Sequence, residues 1–170
     1  MSQIIDTKLL HNKYAVVTGC NRGIGRAICQ NFLIQGASVI GCSREVNKQL
    51  QMEMASFGQN FHNIQLDVQD EISIKEALKA IKNITKEIDI LVNNAAFARA
   101  EDRVPVVDMD DEIFKKVIDI KVIGGYLFAK AVAKILIAQD QGGQIINLSS
   151  TAGRQGSART SAYNLSLIHI

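Results

Sequence analysis

The chain has 170 residues, enough to bury one sizeable core in a single domain. Hydrophobic residues make up 47% and charged residues 21%, the balance of a globular protein, and no apolar run reaches the ~20 residues of a membrane span. The formal charge is +2, from 19 basic and 17 acidic residues with no block of one sign, which argues against nucleic acid or an anionic membrane as partner.

The amino-terminal stretch MSQIIDTKLLHNK has neither a basic segment followed by an apolar one nor an Arg-rich amphipathic pattern, so it reads as the start of a cytoplasmic protein. Residues 13–19, KYAVVTG, are β-branched and apolar and end in glycine, the pattern of a strand. Residues 23–36 follow with apolar positions at helical spacing and Gly36 as a stop. ASVIGCS, from residue 37, predicts a second strand, residues 45–57 a second helix, and NIQLDV, from residue 63, a third strand. Residues 70–87 form an amphipathic pattern with acids in the first turn and lysine in the last, which suits the helix dipole. IDILVNNAA predicts a fourth strand, residues 109–139 one long helix, and GGQIINLSS a fifth strand. Strands alternating with helices give a parallel sheet covered on both faces, a Rossmann-type doubly wound α/β domain. Cys20, Cys29 and Cys42 are odd in number and lack C-x-x-C spacing. They read as small buried hydrophobes, with no metal site and no disulfide framework.

The turn between the first strand and first helix, TGCNRGIG (18–25), carries the clearest chemical signal. Gly19, Gly23 and Gly25 permit a tight turn and close backbone approach to a pyrophosphate, whose charge then meets the helix N-terminus. Asn21, Arg22 and Ile24 complete the candidate loop. An NAD-selective site puts a carboxylate at the end of the second strand, but here Ser43 and Arg44 stand there. Arg22 and Arg44 either pair with a ribose 2′-phosphate, selecting NADP(H) over NAD(H), or are solvated surface charges. Asp67 and Val68 at the third strand end, and Asn93, Asn94, Ala95 and Ala96 at the fourth, lie where open parallel sheets bind ligands. Each also reads as a turn or cap residue.

These motifs, with NLSS (147–150) and SAY (161–163), resemble the short-chain dehydrogenase/reductase family, and within it the reductases of 3-oxoacyl groups on acyl carrier protein. The resemblance spans nearly the whole chain. It implies an oxidoreductase that interconverts a carbonyl and a secondary alcohol with a nicotinamide cofactor, acting on a small molecule as a homodimer or homotetramer. It maps the catalytic serine onto Ser150 and the catalytic tyrosine onto Tyr163. A tyrosine has a pKa near ~10, and the family lowers it with a lysine one helical turn on. Here that position holds Leu167. A second departure is Lys121, where the family commonly has asparagine; it is either a relay group or a solvated lysine.

The resemblance further implies strand order 3-2-1-4-5-6-7, so that the chain ends with its last two strands and most of a substrate pocket still to come. The tail Leu165–Ile170 matches the in-frame translation of a sequencing-library adapter. The expectation is an incomplete nucleotide-binding domain over residues 1–164, a non-native tail over 165–170, and little or no activity in this chain. The alternatives are a non-catalytic NAD(P)-binding homologue and a fragment without function.

Overall fold

The computed structural model describes residues 8–58, 60–97 and 100–168. Five parallel strands make one sheet: β1 (Tyr14–Thr18), β2 (Ser38–Ser43), β3 (Phe61–Gln65), β4 (Ile90–Asn93) and β5 (Gln144–Asn147), in the order β3-β2-β1-β4-β5. Among the described residues six α-helices accompany them: α1 (Gly23–Ile34), α2 (Lys48–Met54), α3 (Glu71–Ile84), α4 (Asp111–Ile118), α5 (Gly125–Ala138) and α6 (Ser161–Leu167). The Rossmann-type reading is borne out, and the order reverses beside β1, where such sheets bind ligands.

Side-chain alternation along β1 divides the core. Ala15 and Val17 join Cys29, Leu33 and Val39 under α1, while Val16 joins Ile40, Leu91, Phe128 and Val132 under α3 and α5. Cys20, Cys29 and Cys42 are buried free thiols. Burial pushes all three thiols above the ordinary cysteine range.

Caps set the helix starts. Asn47 accepts from the Leu50 N–H at 3.1 Å, which shortens the second helix to Lys48–Met54 from the expected 45–57. Asp70 accepts from the Ile72 N–H at 2.8 Å, and Asp110 accepts from the Glu112 and Ile113 N–H groups at 2.7 and 3.2 Å.

Two expectations are corrected. The third strand stops at Gln65, so Asp67 and Val68 lie beyond it. Asp67 folds the chain away, its Oδ1 accepting the Gln69 N–H at 3.0 Å while its own N–H donates to Ser73 Oγ at 2.9 Å. The long helix is not continuous either. Asp119–Gly124 form a π-helical turn between α4 and α5. Gly124 of that turn lies against Val68, where a Cβ would come within 2.6 Å of the valine methyl.

β5 forms one edge of the sheet, and all four of its residues are exposed. Ile145 and Ile146 are 36% and 39% exposed. An apolar edge with free backbone donors and acceptors and no charge or proline invites pairing with another chain. In sedimentation velocity, the 170-residue chain is expected to self-associate as its concentration rises. Ile145→Lys, which places a charge on the edge, reduces that association. A strictly monomeric wild type up to high concentration would contradict the reading.

Candidate active site

A cleft of about 700 Å³ opens at the carboxyl ends of the strands. Its wall takes in the β1–α1 turn, the end of β2, the segments after β3 and β4, the π turn and α6.

The glycine turn is held in an unusual backbone shape. Gly19 and Gly23 have φ of +72° and +57°, which L side chains rarely adopt. Gly25 has an ordinary φ, but a Cβ there would collide with the Gly19 carbonyl oxygen and Asn94 Nδ2. The N-cap residue of α1, Arg22, offers no side-chain hydrogen bond to the first turn. The helix therefore presents uncapped N–H groups and its positive dipole end beside Gly23 and Ile24 on the cleft wall.

A clasp between β1 and β4 supports this turn. Thr18 Oγ1 accepts from the Asn94 and Ala95 N–H groups, both at 3.0 Å. Asn94 Nδ2 donates to the carbonyls of Thr18 and Gly19 at 2.8 and 3.2 Å. A second network joins the turn to β2: Ser43 Oγ donates to Asn21 Oδ1 at 2.9 Å, and Asn21 Nδ2 donates to the Glu45 carbonyl at 3.0 Å. Asn63 on β3 donates to the Gly41 carbonyl at 3.0 Å beneath it.

The cleft gathers most of the expected residues. Gly19, Asn21, Arg22, Gly23, Ile24, Ser43, Arg44, Asp67, Val68, Asn94 and Ala95 all border it, as do Lys121 and Tyr163. Arg22 and Arg44 are exposed at its rim. Three expected residues stand back from the wall. Gly25 is buried behind the loop. Asn93 is buried and donates to Asn147 Oδ1 at 2.9 Å, tying β4 to β5. Ser150 follows β5 by three residues, and its Oγ accepts the Ala152 N–H at 3.2 Å, capping the short turn Thr151–Gly153. That turn packs on α6, the helix carrying Tyr163.

Lys121 enters from the π turn and is only 8% exposed. Burial lowers its pKa below the ordinary lysine value, with no neighbouring charge contributing to the shift. Leu167 is 2% exposed and lies against Gly153 instead of the cleft.

A sequence profile described as short chain dehydrogenase matches residues 13–166. The chain belongs to the short-chain dehydrogenase family. It is 38% identical over 154 residues to the galactitol 2-dehydrogenase of Agrobacterium fabrum, covering 91% of this chain and 59% of that one. It is 35% identical over 154 residues to the 3-oxoacyl-[acyl-carrier-protein] reductase of Vibrio harveyi, covering 91% and 61%. Among solved structures it resembles a Beutenbergia cavernae protein described as an NAD(P)-dependent gluconate 5-dehydrogenase with bound NADP at low occupancy. That match has a TM-score of 0.83 and 25% identity, over 94% of this chain and 63% of the other. The chain thus spans about three fifths of the length of the curated relatives it matches.

Sequence reasoning missed Thr18 and Asn63 in this member of the short-chain dehydrogenase family. A threonine ending a strand and an asparagine inside one read as ordinary β residues, and only the neighbouring strands give them partners. Thr18→Val keeps the shape and removes the acceptor, leaving the Ala95 N–H unpaired, while the Asn94 N–H keeps its bond to the Val92 carbonyl at 3.1 Å. An unsatisfied buried donor costs about 1–3 kcal/mol. Urea unfolding of the variant should show a loss of that size, and an unchanged midpoint would mean that the clasp is dispensable.

Proposed function

We propose that the protein is an NADP(H)-dependent oxidoreductase that interconverts a carbonyl and a secondary alcohol. The observation that carries this reading is one cleft holding both the uncapped α1 N-terminus and Tyr163. The cofactor fits this donor set. The N–H groups of α1 and the bare backbone at Gly19 and Gly23 suit a pyrophosphate, and Arg22 and Arg44 suit a 2′-phosphate. Asp67, whose Oδ1 holds the Gln69 N–H, would hold the adenine amine. When bound, NADP(H) supplies the hydride chemistry.

The chain's own residues handle the proton and the oxygen. In reduction, the Tyr163 hydroxyl gives its proton to the carbonyl oxygen, and in oxidation the tyrosinate takes it back. Ser150 stands back from the cleft wall, and it is the family's register, thirteen residues before Tyr163, that assigns its O–H to the same oxygen. Its lone pair already holds the Ala152 N–H, which orients the hydroxyl. Phe97 and Ile120 give the cleft an apolar wall that limits water.

Relatives named for a polyol, a 3-oxoacyl thioester and a sugar acid support the carbonyl–alcohol class and leave the substrate open among them. A second reading, a cofactor-binding protein without turnover, is favoured by Leu167. A buried leucine four residues after Tyr163 offers no charge to favour the tyrosinate.

Two outcomes test these readings. Titration with both nucleotides should show NADPH binding at least about tenfold tighter than NADH, since one charge-assisted contact is worth ~1.5–3 kcal/mol. Arg44→Ala should narrow the gap. Equal affinities, or a ratio unmoved by the substitution, would remove the NADP(H) assignment. Separately, the 170-residue chain is expected to bind NADPH yet turn over ketones little or not at all, and Leu167→Lys alone should not restore full rate. Robust turnover by the unaltered chain would instead eliminate the second reading.

A further inference from the structure

We propose that Lys121 is an anion-recognition residue of the cleft, so that the substrate bears an oxyanion, carboxylate or phosphate, beside its reacting carbonyl or alcohol. This rests on the oxidoreductase reading above and narrows its substrate class.

The argument begins with placement. The π turn lies between α4 and α5 and against α6, and its Gly124 is pressed onto Val68. Lys121 is held in that turn and forms part of the same cleft wall as Tyr163. With 8% of its surface exposed, this lysine is nine-tenths buried and faces the space a substrate would fill.

The second point is its lack of a counter-charge. Among the described residues the ion pairs are Lys13–Asp89, Arg26–Glu53 and Lys115–Glu112, and Lys121 is in none. It donates no hydrogen bond to a carboxylate or carbonyl there either. Of the two acids on the cleft wall, Asp67 folds its own Oδ1 onto the Gln69 N–H, and Glu45 is exposed at the end of β2. Desolvation acts on the ammonium with nothing to offset it.

An ammonium held in this way draws no counter-charge from the described residues, and an anion in the cleft would supply one. The phosphates of NADP(H) have their own partners in this reading, the α1 N-terminus and the two arginines. Lys121 comes from the β4–β5 crossover, next to the helix that carries Tyr163, so its charge falls to the substrate. A neutral polyol offers it hydroxyls alone, whereas a sugar acid or sugar phosphate offers a charge-assisted hydrogen bond.

The test is equilibrium binding to the 170-residue chain in saturating NADPH, using D-gluconate, D-glucitol and D-glucitol 6-phosphate as probes. The expected result is that at least one anionic probe binds at least about tenfold tighter than glucitol. The tighter of gluconate and glucitol 6-phosphate identifies the anion as carboxylate or phosphate. Lys121→Met should bring that probe down to the glucitol level, and Lys121→Arg should retain most of the preference. Equal binding of all three probes by the wild type, or no binding of either anion, overturns the proposal without calling on any variant. It is also overturned if Lys121→Met weakens NADPH and leaves the anion preference intact, because the charge then serves the cofactor. Failure of the wild type to bind NADPH would instead sink the oxidoreductase reading, and this inference with it.

Discussion

The clasp between Thr18 and the Asn94–Ala95 segment is the contact on which the cleft depends. β1 and β4 are adjacent parallel strands, but the chain between them runs through two other strands and three helices. One threonine oxygen and one asparagine amide close the distance at the strand tips with four hydrogen bonds. Because Asn94 Nδ2 reaches the Gly19 carbonyl, the clasp also fixes where the glycine turn begins. The absence of a side chain at Gly25 then follows, since the same amide and carbonyl fill the space a Cβ would need. The direction of the α1 N-terminus is thus set by a residue more than seventy positions downstream.

The π turn makes the opposite trade. It widens one turn of a helix that could have run straight from Asp111 to Ala138, and it buries a lysine. The lowered pKa of Lys121 means that the unfolded chain binds its proton more tightly than the folded one. The lysine therefore costs stability below its folded pKa, and the cost fades as pH rises towards the unfolded lysine value. An unpaired charge buried beside a cleft is the kind of perturbed group that clusters at functional sites.

The sheet is sound on one side and open on the other. β1 and β2 are covered on both faces and nearly dry, while β5 pairs only with β4 and exposes all four residues. Ser150 and the short turn that it caps hang from this weakest strand, yet they pack on α6 beside Tyr163. The geometry of the candidate serine–tyrosine pair is therefore tied to the least buried part of the fold, whereas the glycine turn is tied to the most buried.

Much of this was legible in the residues themselves. Short apolar runs marked the five strands, most plainly β1, β2 and β4, which are buried along nearly their whole length. The glycine spacing marked the turn that borders the cleft, where positions 19 and 23 take a positive φ that glycine adopts without steric cost. The sequence could also place Ser150 and Tyr163 thirteen residues apart in the family's register. Tertiary structure alone decided which polar residues brace the cleft and which border it. Asn93 and Asn94 are neighbours of one kind, but pleat alternation sends the first into a bond with Asn147 and the second to the glycine turn. Lys121 read equally well as a relay or a solvated lysine, because a helical pattern does not reveal a π turn. Within that turn Gly124 lies against Val68 from another part of the chain, a contact that no local spacing encodes.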